Sequence, residues 1–354
     1  MKLIRRSLST LIALSSALCT LGAVAGPLYR IESAQTIKSP TGPNWDYLAF
    51  DDAHSRLYIS RRDDGVLVYD AKAKKLLGTL ANTRGGNAVV LVPEFNRGYT
   101  INLDGSTTVF DLSARKTLDR VKFGDDADNA FYDPVTRQIL VTMGDSQQVA
   151  FLDAKTGAPQ GKLQIDSHKI EGAAPDGKGQ MFIALRDRNK VVRIDLKERK
   201  LVAEHATTPS CELPSGMAFD AATRRIFIGC RGASPVLAAM DADSGRIVAT
   251  TTIGRGNDVV LFDAEQRRIY TSNGVDANMV VIEQVDPDTY KLMEATNTRP
   301  NARTMALDPK TKKVYLVAAD GAVDGSKEWN RSVAPFYPNT YFNDTLTLLT
   351  LSRH

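Results

Sequence analysis

A seven-fold internal repeat constrains this chain more than any other feature of its sequence. In each copy an apolar strand ends near an acid, and a polar turn leads to a second strand with a large buried-type anchor. A variable loop follows, then a third strand ending in an acid, a basic turn and a fourth strand. The first copy runs Tyr47–Asp51, Arg56–Ile59, Val66–Asp70 and Leu76–Leu80. The second-strand anchors are Tyr58, Tyr99, Leu140, Phe182, Phe227, Tyr270 and Tyr315. The third-strand acids are Asp70, Asp111, Asp153, Asp195, Asp241 and Glu283. Both series advance in steps of 41 to 46 residues, the length of a four-stranded propeller blade. Alternation such as Ile226-Phe227-Ile228 between polar neighbours predicts half-buried strands.

A lone four-stranded blade cannot bury both of its faces, whereas blades stacked in a ring can. The seventh copy supplies Thr304–Asp308, Lys313–Leu316 and Thr345–Leu349, then runs out before a fourth strand. An orphan strand, Leu28–Ile31 continuing through Gln35–Ile37, precedes the first copy. Placing it as the missing outer strand removes exposed edges. The expected fold is therefore all-β: a seven-bladed β-propeller of four-stranded blades, closed by the N-terminal strand completing the last blade.

The N-terminus carries a targeting pattern. Lys2, Arg5 and Arg6 precede an apolar stretch from Leu8 to Val24 that closes on Ala23-Val24-Ala25. This reads as a signal peptide over 1–25, cleaved before Gly26, with one propeller domain over 26–354. The stretch lacks the ~20 strongly apolar residues of a spanning helix. A periplasmic or secreted monomer without a membrane span is the expectation. The formal net charge of +4 includes Lys2, Arg5 and Arg6, so the mature chain would be close to +1. Such a surface gives no general electrostatic reason to bind nucleic acid or anionic lipid. Cys211 and Cys230 remain after Cys19 leaves with the signal. They fall on one blade, before its first strand and at the end of its second, which favours a disulfide in an oxidising compartment.

The strands Ile269-Tyr270-Thr271-Ser272-Asn273 and Gly98-Tyr99-Thr100-Ile101-Asn102 resemble the YVTN repeat. Asp128–Pro134, Cys211–Arg231 and Ala302–Pro309 are similar to bacterial YncE-like propellers, and the resemblance covers essentially the whole mature chain. It implies a periplasmic seven-bladed propeller and little about chemistry, although single-stranded DNA binding has been proposed for one branch.

In a propeller the fourth-to-first and second-to-third connections share one face, around the mouth of the channel. The candidate binding residues there are Trp45, Asp46, Arg61, Arg62, Asn87, Asn102, Asp128, Asn129, Glu171, Arg186, Arg231, Asn257, Asp258, Asn273 and Arg303. Gathered Arg, Asn and Asp would suit a small anionic ligand, since guanidinium forks match carboxylate and phosphate. Alternatively, Asn and Asp shape the loops while Arg and Asp pair with one another. The seventh copy also holds a long insertion, 319–344, with Trp329, Phe336, Tyr337 and Tyr341 as aromatics of a lid or protein-binding loop.

No catalytic set is legible. The mature chain has only His54, His168, His205 and His354, so a His-based metal site is unavailable, and no metal ligands or cofactor are assigned. His168 with Glu171 could form an acid/base pair. The leading expectation is a binding or scaffold propeller with an unidentified protein partner or small ligand. One alternative is a hydrolase or lyase holding an ion with Glu171, Asn129 and Asp258. A second is DNA binding through Arg61, Arg62, Arg186, Arg188 and Arg231.

Overall fold

The computed structural model describes residues 27–39, 42–322, 324, 326, 338 and 340–353. The proposed signal segment, Trp329, Phe336 and Tyr337 lie outside these residues. Seven four-stranded antiparallel sheets form the blades of a ring. Blade 1 holds Leu48–Asp51, Arg56–Ser60, Val66–Asp70 and Lys75–Thr79. Blade 3 holds Ala130–Asp133, Gln138–Met143, Gln148–Asp153 and Pro159–Gln164. Blade 7 pairs Thr304–Leu307, Val314–Ala318 and Thr347–Arg353 with Tyr29–Thr36, so the N-terminal strand supplies the outer edge.

Half-burial of the second strands is corrected by the structure. Ile226 to Cys230 are all buried, and so is every residue of Gln138–Met143. Each middle strand lies between two neighbouring blades, so both faces become interior and the expected alternation is lost. Alternation survives on outer strands such as Lys200–Ala206, where Ala203 and His205 are half-buried between exposed Val202, Glu204 and Ala206. The anchors sit at these blade–blade seams. Tyr58 meets Phe110 of blade 2 at 5.4 Å between centroids, Phe227 meets Phe262 of blade 6 at 5.0 Å, and Phe50 stacks on Tyr315 at 5.5 Å. Such aromatic pairs add to their area burial.

The repeated acids build turns on the face away from the mouth. Asp70 accepts the amides of Lys72 and Ala73 at 3.0 and 2.8 Å, and Asp241 accepts those of Asp243 and Ser244 at 3.2 and 2.8 Å. The first-strand acids do the same, with Asp308 accepting from Lys310 and Thr311. Side-chain acceptors of this kind replace a backbone partner in a tight turn.

The ring is tied shut at several points. The Tyr29 hydroxyl meets the Tyr270 hydroxyl of blade 6 at 3.1 Å and donates to the Lys312 carbonyl at 3.0 Å. Glu32 pairs with Lys313 of blade 7 at 2.6 Å and with Lys74 of blade 1 at 2.7 Å. Near the axis the innermost strands of adjacent blades approach closely at glycine positions. A Cβ at Gly216 would lie 2.7 to 2.9 Å from the backbone of Asp258–Val260 in the next blade. No helix among the described residues is long and apolar enough to cross a membrane.

Candidate functional site

The fourth-to-first and second-to-third loops enclose a cavity of about 500 Å³ at the mouth of the ring. Its charged lining comes from different blades. Asp46 and Arg62 belong to blade 1, Asp128 to blade 3, Glu171 and Arg186 to blade 4, Arg231 to blade 5, Asp258 to blade 6 and Arg303 to blade 7. Each precedes a first strand, stands at its start, or follows a second strand. Ring closure alone therefore points these residues toward one axis.

Their charges interlock. Arg62 donates from Nη2 to Asp46 Oδ2 at 2.5 Å and from Nε to Asn87 Oδ1 at 2.9 Å. Asn87 in turn donates to the Asp128 carboxylate and carbonyl, both at 2.8 Å. Arg303 lies 3.0 Å from Asp258 and 3.6 Å from Asp46, and it donates to the Trp45 carbonyl at 3.1 Å. Arg231 also pairs with Asp258, and Arg186 meets Glu171 at 3.1 Å. The Arg303 guanidinium stands over the Trp45 ring, 4.9 Å from its centroid, and Tyr341 packs edge-on against Trp45 at 5.3 Å.

Confinement raises three acids of this network, Asp46, Asp128 and Glu171. Burial pushes Asp46 and Glu171 above the usual carboxylate range, although Arg303 and Arg62 oppose it at Asp46 and Arg186 opposes it at Glu171. Asp128 is pushed up to about 8 by burial, helped by the Asp46 and Glu171 charges. Tyr47, on the same wall, is held well above the ordinary phenol value by burial and by Asp128.

Comparison with known proteins places this architecture. No family model matches the chain. It is 24% identical over 192 residues to the uncharacterized protein YncE of Salmonella typhi, and equally so to that of Salmonella typhimurium. The match takes in 52% of this chain and 53% of each relative, so the chain spans about half the length of the curated relatives it matches. These similarities and the ring of seven blades are consistent with a YncE-like propeller. Among solved structures, a chain of Kuenenia stuttgartiensis hydrazine synthase superposes with a TM-score of 0.65 at 14% identity, covering 80% of this chain and 94% of that one. A chain of a mitotic checkpoint complex gives 0.71 at 13% identity, with 99% of both covered. At such identities these likenesses concern the fold alone.

On this YncE-like frame the expected site residues divide into two sets. Trp45, Asp46, Arg62, Asp128, Glu171, Arg186, Arg231, Asp258, Arg303 and Tyr341 line the cavity. The remainder serve the framework. Arg61 is 1% exposed and donates to the Asn44 and Gly42 carbonyls and to Asp64, which removes it from the mouth. Asn102 is buried among Thr100, Ser106 and Thr108, and Asn273 among Thr271 and Asn278. Asn257 donates to the Val259 and Ser272 carbonyls, and Asn129 accepts the Ala130 amide. Asn87 is buried too, but it links Arg62 to Asp128 from behind the lining.

Sequence reasoning missed Tyr47, Asp126 and Lys169 in the lining. Tyr47 was assigned to a strand, while the run Asp125-Asp126-Ala127-Asp128 carried a usable acidic signal. Of the ion-holding set, Asp258 and Glu171 are engaged by guanidinium groups, and Asn129 caps its own strand. Among the described residues no three His, Cys, Asp or Glu side chains come together as metal ligands. Of the DNA-binding set, Arg188 pairs with Asp166 at 2.6 Å. Cys211 and Cys230 form a disulfide that fixes the strand leading into Arg231.

Proposed function

We propose that this chain is an exported binding propeller that takes a small polar molecule into the mouth of its ring. The observation that carries this reading is the convergence of charged side chains from six blades on one concave cavity of about 500 Å³. That size falls within the range of small-molecule sites. The cavity also has an apolar side, formed by Trp45, Tyr47, Ile170 and Tyr341. Paired ions hold one another in fixed geometry, so their remaining lone pairs and N–H groups are presented to a ligand without reorganisation. The N-terminal targeting pattern and the disulfide suit an oxidising compartment.

The test is the native mass of protein recovered from the periplasm, compared with its denatured mass. The expected result is a chain starting at Gly26 that carries extra mass, lost on denaturation and absent from an Arg231→Met variant. Bound mass that persists unchanged in variants across the mouth would overturn the assignment of the site.

A further inference from the structure

We propose that the ligand of this mouth carries an aliphatic primary ammonium group, seated against the carboxylate of Asp128. This rests on the reading of the mouth as a binding site and names its ligand chemistry. The argument begins with charge pairing. All four guanidinium groups of the lining are already engaged: Arg62 by Asp46, Arg186 by Glu171, Arg231 by Asp258, and Arg303 by Asp258 and Asp46. An anionic ligand would have to compete with these acids for the same donors. Asp128 is the one carboxylate of this network with no guanidinium partner among the described residues; its side chain is held by the amide of Asn87.

The surroundings of Asp128 reinforce this asymmetry. Asp126, on the same lead-in loop, also faces the cavity and accepts from the backbone amides of Asp145 and Ser146 at 2.9 and 3.2 Å, and from the Ser146 hydroxyl. Neither acid has a Lys or Arg in ion-pair contact among the described residues. Lys169, on the lead-in loop of the neighbouring blade 4, whose backbone abuts Gly144, acts on Glu171. Among the described residues the blade 3 loops thus bring Asp126 and Asp128 to the mouth without an ion-paired cation, whereas each arginine of the lining is paired with an acid. Tyr47 and Leu103 offer an aromatic ring and an alkyl group beside it, suited to a cation and its hydrocarbon stem.

The groups acting on Asp128 are Asp46, Glu171 and Asp258, which disfavour its charge, and Arg62, which favours it. With a proton held up to about pH 8, an arriving cation must displace that proton to the buffer. A lysine-type amine stays protonated to roughly pH 10.4. Binding should therefore strengthen as pH rises through the Asp128 range.

The experiment is calorimetric titration of the full chain with n-butylammonium chloride at pH 6 and pH 9, with sodium butyrate and 1-butanol as controls. The expected result is affinity at least about tenfold higher at pH 9 than at pH 6, and little binding of either control. In Asp128→Asn, affinity at pH 9 should fall at least about tenfold and the pH dependence should vanish. A measurement on the wild type stands independently of that variant's folding. At pH 7, titrations in two buffers of different ionisation enthalpy should show about one proton released per ammonium bound. A Gly-Lys-Gly peptide that binds more tightly than butylammonium would identify a protein side chain as the source, and the reverse order a free amine. Butyrate binding in preference to butylammonium, or ammonium binding without proton release, overturns the inference. In either case a ligand displaced by Arg231→Met would still support the mouth as the binding site.

Discussion

Replacing both Cys211 and Cys230 by Ala tests how the blade 5 loop is held. The two residues are 19 positions apart. In the chain-entropy view, closing a loop of that length stabilises the fold by about 3 kcal/mol. Unfolding entropy of about 2.1 cal/mol/K per residue over roughly 330 residues converts this to a Tm about 4 °C lower. The sulfurs belong to residues only 1% and 0% exposed, so a reductant cannot reach them in the native ring. Wild type refolded with reductant should melt like the double variant, whereas native wild type exposed briefly to reductant should keep its Tm. The variant should also lose ligand, because Cys230 immediately precedes Arg231. Circular dichroism melts in oxidising buffer provide the assay. A double variant that melts within 1 °C of wild type, as roughly expected of a surface change, would refute the cross-link as a structural tie.

Three further outcomes follow from the ring and its mouth. Tyr29→Ala empties a buried site on the closing strand and should cost about 3–5 kcal/mol, read from denaturant midpoints; a surface-like effect would mean that this strand does not close the ring. Gly216→Ala drives a Cβ into the backbone of blade 6 and should cost roughly 1–3 kcal/mol, measured the same way. For Asp128 the folded value is raised above the unfolded one, so the native state binds more protons than the unfolded chain between about pH 4 and pH 8. Its contribution is therefore lost as pH rises through that window. Acidification from pH 8 to pH 5 should stabilise wild type more than Asp128→Asn, and equal slopes in chemical denaturation would contradict this.

The ring was legible in the sequence because each blade repeats the same requirements. Anchors such as Tyr99 and Phe227 recur at one strand position, and acids such as Asp70 and Asp241 recur where a turn needs a side-chain acceptor. Closure was legible because one strand was missing at one end and one was spare at the other. Burial of both faces of the second strands was not, since it is imposed by neighbouring blades rather than by local pattern. At the mouth, the lead-in loops pointed to Asp46, Asp128, Glu171, Asp258 and Arg303, and these residues line the cavity. The Asn assignments fared differently. An amide can satisfy its own strand's backbone as readily as face the axis, and Asn257 and Asn273 do the former through the Val259 and Thr271 carbonyls. Spacing cannot distinguish these orientations. Nor could it reveal which acid lacks a guanidinium, because that depends on contacts between residues such as Arg303 and Asp46, 257 positions apart.

The binding role of the mouth is open to one decisive measurement: amide hydrogen exchange of the purified chain with and without a periplasmic extract freed of macromolecules. Exchange should slow in the loops spanning 44–47, 126–129 and 168–171 and around Arg231, while the outer strands, such as Thr289–Asn297, stay unchanged. Protection confined to the outer strands, with the mouth loops unaffected, would contradict a ligand seated in the ring.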